Sequence, residues 1–190
     1  MPSTDARHDD PHVRDLVERA RAGDEAAWEL LYRRAYPRLL AYARRRLAGD
    51  ASPEDAVLET MTRALERIDR FRWRDGGFEA WLFGILRLVV LEHHRADRRA
   101  RPVAEVPERA APPEGGPAET ALRAERHGLL RRAFARLSDS DRELLELRVV
   151  GELSAEEVAT VVGRRPGAVR MAQTRALDRL RAKLRESEHA

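Results

Sequence analysis

The chain has 190 residues, 43% hydrophobic and 36% charged, and no cysteine, so a one-sided core can form while disulfides, thiol nucleophiles and thiolate metal sites are excluded. Its longest charge-free run, residues 80–86, is far short of the ~20 apolar residues that cross a bilayer. The first ten residues are polar with no apolar leader, so a cytoplasmic protein without membrane insertion is expected. Net charge is only +3, yet the pI is about 9.9, because every basic residue except Lys183 is arginine, whose planar fork suits phosphate and guanine.

Taken in chain order, residues 1–10 read as a disordered tail, and Asp10-Pro11 opens a first helix that runs to about residue 22. Gly23 ends it. A second helix starts at Asp24 and is expected to be interrupted near Pro37. Ser52-Pro53-Glu54-Asp55 is a start signal for a third, to about residue 70, and a fourth spans about 78–98. Half of the ten prolines, with Gly115 and Gly116, then fall in 102–117, a stretch with no apolar period that reads as an exposed linker. Helices follow near 118–136, 139–150, 154–162 and 166–185. The expected architecture is all-α: two small helical domains, 11–101 and 118–190, joined by a flexible Pro/Gly-rich linker.

The second of these domains contains a helix-turn-helix. Ser154 and Glu157 form a capping box, Ala159 is small where two helices would cross, and Gly163 suits a turn with positive φ. Pro166 starts the next helix, from which Val169 points back to the core. At about 100° per residue, Val169, Ala176, Leu177, Leu180 and Leu184 share one side of that helix. Arg170, Met171, Thr174, Arg175, Asp178, Arg181 and Arg185 face away, and Gln173 falls on the apolar side. Residues 164–185 hold eight basic side chains against Asp178, a net +7 inside a +3 protein. A merely solvated amphipathic helix has no need of that concentration. The pattern points to duplex readout, with Arg170, Met171, Thr174 and Arg175 at base edges and Arg164, Arg165 and Arg181 on the backbone.

Five of ten aromatic residues, Phe71, Trp73, Phe78, Trp81 and Phe83, lie within thirteen positions, interleaved with Arg70, Arg72 and Arg74 around Asp75-Gly76-Gly77. Rings beside a basic track hold unpaired bases. Core packing is the simpler role for Trp81 and Phe83. Arg95, Arg98, Arg99 and Arg101 add a basic strip at the end of the fourth helix. The six histidines are scattered except for one adjacent pair, and no phosphate-cradling glycine loop or nucleophile–base pair is evident. Neither a metal, a cofactor nor a catalytic residue is expected.

These features together resemble a bacterial RNA polymerase sigma factor of the extracytoplasmic-function (ECF) group, the minimal members of the sigma-70 family. The segment Ser52-Pro53-Glu54-Asp55-Ala56-Val57-Leu58-Glu59-Thr60 is similar to the helix that docks on the β′ clamp. The resemblance implies that Glu54, Asp55, Leu58, Glu59 and Arg63 bind polymerase. The segment from Phe71 to Leu82 is similar to the one that melts and captures the −10 element, implying roles for Phe71, Trp73, Arg74, Asp75, Phe78, Arg87, Arg95, Arg98 and Arg99. Residues 137–184 resemble the domain that reads the −35 element and touches the β flap. Leu58, Leu88 and Gln173 stand where the family usually has Gln, Asn and an apolar residue. The expected partners are core RNA polymerase and promoter DNA, with an anti-sigma factor as a further candidate. A stand-alone helix-turn-helix regulator would explain residues 153–184 but not the aromatic loop, and an anti-sigma decoy would not need the +7 helix.

Overall fold

The computed structural model describes residues 10–47, 51–73, 76–100 and 117–188, with backbone alone for 98–100, 117–124 and 188. Of the expected tail, 1–10, all but Asp10 lies outside these residues, as does all of the expected linker, 102–117, except Pro117.

Eight α-helices carry the described chain: α1 (Pro11–Arg21), α2 (Glu25–Arg46), α3 (Pro53–Arg67), α4 (Gly77–Ala100), α5 (Pro117–Ala135), α6 (Asp139–Val149), α7 (Ala155–Val162) and α8 (Pro166–Glu188). A 3₁₀ turn, Ile68–Arg70, follows α3. The starts are set by side-chain caps that satisfy otherwise unpaired amides. Asp10 accepts from the His12 N–H, Asp24 from Ala27 and Ser52 from Asp55. Ser138 accepts from Asp141, and Ser154 forms the anticipated capping box with Glu157.

One element departs from expectation. The helix α2 runs unbroken through Pro37. The proline removes one ladder bond, but Leu31 and Ala35 before it and Leu39, Leu40, Tyr42 and Ala43 after it are all buried. Core contacts on both flanks hold the two halves in line.

The first lobe packs α1 to α4 around Leu16, Val17, Leu31, Leu39, Tyr42, Val57, Leu82, Phe83 and Leu86. The second lobe, α5 to α8, keeps a small cluster of its own at Leu137, Leu145 and Ala176. Leu144, Leu147, Leu153, Val158, Ala159 and Val169 of the second lobe belong instead to the first lobe's core. The two lobes therefore share one interior, which the reading as two linked domains did not foresee. The reason lies in α4. Its residues 82, 83, 85, 86, 89 and 90 are all buried, and at about 100° per residue they spread over a broad face that needs cover from more than one neighbour. α7 supplies that cover. A Cβ on Gly151 would stand 3.0 Å from the Phe83 ring, and one on Gly76 would stand 2.9 Å from Thr160 Oγ1 and 3.2 Å from Glu157 Cα.

Candidate nucleic-acid interface

The helix-turn-helix is assembled as its spacing implies. Gly163 closes α7 with φ +67°, in the left-handed region that costs an L side chain roughly 1 kcal/mol or more. Val169 is fully buried and Ala159 nearly so, which brings α8 close across α7. Arg164, Arg165, Arg170, Met171, Thr174, Arg175 and Arg181 are all exposed. Met171 retains 65% of its surface, which leaves it open to a partner.

Several of these side chains are steered by neighbours. Arg170 Nη1 lies 2.6 Å from Glu156 on α7, and Arg181 lies 2.8 Å from Asp178. Gln173 sits off the exposed face, as its angle on the helix implied, and its Oε1 accepts from Arg148 Nε at 2.8 Å. Arg148 also donates to the Leu153 carbonyl, so Gln173 is tied through one guanidinium to the segment leading into α7. Arg179, one of the eight basic residues in this stretch, is paired with Asp141 at 2.9 Å and belongs to the scaffold.

The aromatic segment is brought together as a ring cluster. Phe71 lies 5.0 Å from both Trp73 and Trp81, and Phe78 lies 5.6 Å from Phe71 and from Trp81. Phe71 and Phe78, expected to meet bases, are each only 3% exposed. Their rings pack with Trp73 and Trp81 in the core beneath the loop, so in this structure neither presents a free face for stacking. Trp73 is a half-buried ring at the edge. Its Nε1 donates to Glu18 at 3.2 Å, and the Arg14 guanidinium lies 4.7 Å over the ring. Arg74 and Asp75 lie outside the described residues, as do the side chains of Arg98 and Arg99. Arg95 is exposed on α4.

Arg87 has a partner that the sequence did not disclose. Its Nε lies 2.8 Å from Glu143 on α6, so a candidate DNA-binding cation is engaged by the other lobe. Beside it Arg46 meets Glu146 at 3.4 Å, and Glu79, buried to a similar degree, is held by Arg38 at 2.5 Å and Arg34 at 3.4 Å. Burial pushes the Glu146 carboxyl up to about 7 against the opposing pull of Arg46, Arg45 and Arg142. Burial raises Glu157 as well. Four buried polar atoms along this seam, Arg38 Nη1, Tyr42 Oη, Arg46 Nε and Glu157 Oε1, have no hydrogen-bonding partner.

A third surface lies on α3. Asp55, Leu58, Glu59, Thr62, Arg63 and Glu66 line a shallow open groove. Leu58 is 59% exposed and Leu65 47%. Arg63 bridges Glu59 and Glu92, each at 2.6 Å, and this guanidinium holds the Glu92 carboxyl below its usual range. Glu54 pairs with Arg44 at 2.7 Å. Four of the five expected polymerase-binding residues thus line one groove, with Glu54 beside it.

A capped helix-turn-helix with an arginine-rich outer face, behind a helical lobe bearing an aromatic loop and an exposed leucine groove, defines a two-lobed transcription factor. The family described as Sigma-70 region 2 matches residues 31–100, and Sigma-70, region 4 matches residues 127–180. The chain is 40% identical to the ECF RNA polymerase sigma factor ShbA of Streptomyces griseus, covering 88% of this chain and 92% of the relative. It is 36% identical to the ECF RNA polymerase sigma factor SigD of Mycobacterium tuberculosis, over 87% of this chain and 81% of that one. Among solved structures, CnrH in complex with the cytosolic domain of CnrY superposes with a TM-score of 0.66 at 26% identity, over 92% of this chain and 98% of CnrH. The chain belongs to the ECF group of sigma-70 family RNA polymerase sigma factors. As an alternative sigma factor it binds core RNA polymerase and directs promoter-specific transcription initiation. No described helix is long and apolar enough to cross a membrane.

Proposed function

We propose that α8 reads the −35 duplex while the loop before α4 captures the opened −10 strand, with the α3 groove seated on the β′ clamp and the second lobe against the β flap. The carrying observation is the outer face of α8: Arg170, Met171, Thr174 and Arg175 stand exposed on its first turns, where such helices meet base edges. Arg164, Arg165 and Arg181 flank them and contact phosphate. On the first lobe, Trp73 offers the stacking ring above the Phe71 and Phe78 floor. Arg74, Asp75, Arg87, Arg95, Arg98 and Arg99 complete the −10 surface. Glu54, Asp55, Leu58, Glu59 and Arg63 make the clamp contact, where exposed Leu58 gains apolar burial. The protein acts in the cytoplasm and does no chemistry of its own. CnrH was solved with a protein partner, which supports an anti-sigma factor as a partner here.

The test is to add the protein to core RNA polymerase on genomic DNA and sequence the transcripts. The expected result is a set of start sites sharing two upstream elements, and co-elution of the protein with core enzyme. A promoter-specific gel shift by the protein without core polymerase would instead favour a stand-alone regulator.

A further inference from the structure

The helix α1 lies outside the segment that matches Sigma-70 region 2, which begins at residue 31, yet it grips the aromatic loop at several points. Arg14, Glu18 and Arg21 are spaced by four and three residues, so they form one stripe along the helix. The neighbouring stripe, Val13, Leu16, Val17 and Ala20, is buried in the core and fixes how the helix is rotated. Arg21 Nη2 donates to the Phe71 carbonyl at 2.9 Å, and its Nε to the Ile68 carbonyl at 3.4 Å. Glu18 accepts from Arg21 at 2.8 Å and from the Trp73 indole N–H at 3.2 Å. Arg14 lies over the Trp73 ring at 4.7 Å from its centroid.

An indole on a loop turns about two side-chain bonds, and a base that stacks on it must first stop that motion. A carboxylate that accepts the only polar hydrogen of the ring fixes its plane beforehand, so the cost of ordering it does not fall on the captured strand. Arg21 fixes the loop backbone on which the ring is mounted, and it also holds the carboxylate. We infer that α1 is a working part of the −10 surface and that Glu18 is the positioning residue for Trp73. The inference rests on Trp73 being the ring that meets the opened strand.

The experiment uses holoenzyme formed from the full chain, on a promoter recovered from the transcript start sites, with permanganate reactivity of −10 thymines followed in time. Trp73→Ala slows opening roughly tenfold, within the range a stacked base contributes. Glu18→Ala slows it by a similar factor, while Glu18→Gln, which keeps an oxygen for the indole N–H, opens within about twofold of wild type. The double variant Glu18→Ala/Trp73→Ala is no slower than Trp73→Ala, because the carboxylate acts through the ring. Affinity for core enzyme and for −35 duplex is unchanged in all of them, which separates positioning from a general loss of structure. Wild-type opening by Glu18→Ala, or slowing that adds to that of Trp73→Ala, overturns the inference and leaves the role of Trp73 standing. Wild-type opening by Trp73→Ala overturns the reading of the ring itself.

Discussion

Between Arg46 and the apolar side chains of α6, the Glu146 carboxyl is withdrawn from water, and burial pushes it up to about 7 from an ordinary value of 4.5. The folded chain therefore holds a proton at this position between about pH 4.5 and 7 that the unfolded chain has lost, and stability falls as pH rises through that window. Glu146→Gln should flatten this dependence, and at pH 8 should be neutral or stabilising, since it removes a charge that burial disfavours. Thermal melts of both proteins at pH 5 and pH 8 check this. On the opposite face of the second lobe, Arg170→Ala or Arg175→Ala should cost about 1–3 kcal/mol of discrimination between −35 sequences, measured as competition between cognate and altered promoters in run-off transcription. The reading face was legible from sequence because helical geometry alone sorts residues 170, 171, 174 and 175 outward. The partner of Arg170 was not, since Glu156 lies 14 positions away, nor was that of Arg87, since Glu143 lies 56 positions away, and no local pattern links either pair.

Among the elements, α7 depends on two residues at its ends. Ser154→Ala removes the capping box and should cost about 1 kcal/mol, while Gly163→Ala places a methyl group at φ +67° and should cost roughly the same. Each should lower the melting temperature by about 2–4 °C, and calorimetry of the three proteins measures it. Both devices were evident in the sequence because caps and left-handed turns are chosen by one or two adjacent residues. Pro37 misled for the same reason: a local rule ends a helix there, but buried contacts on both sides of it outweigh one missing ladder bond. The aromatic loop was half legible. Its composition identified a ring cluster, but which rings stay partly exposed depends on how α1 and α4 close around it, and Trp73 and Trp81 are the two that do.

At the scale of the whole molecule, the charge-free run of residues 80–86 was read only against a membrane span, whereas in the structure its helix is covered by the second lobe. That cover places Arg87 against Glu143 and Arg46 against Glu146. For the two proposed promoter-reading surfaces to move independently of one another, this seam has to part. Glu143→Arg sets like charges against each other at the seam and should enlarge the radius of gyration of the free protein in small-angle X-ray scattering. An unchanged radius would assign the attachment to the packing of Phe83 on Gly151 instead.

The four polar atoms left unsatisfied along that seam shape how readily it parts. Each would gain a bond to solvent on exposure, worth about 1–3 kcal/mol, which works against the apolar packing that holds the seam closed. A joint lined this way resists separation less than a greasy one of equal size, so the closed molecule is a loaded latch rather than a weld.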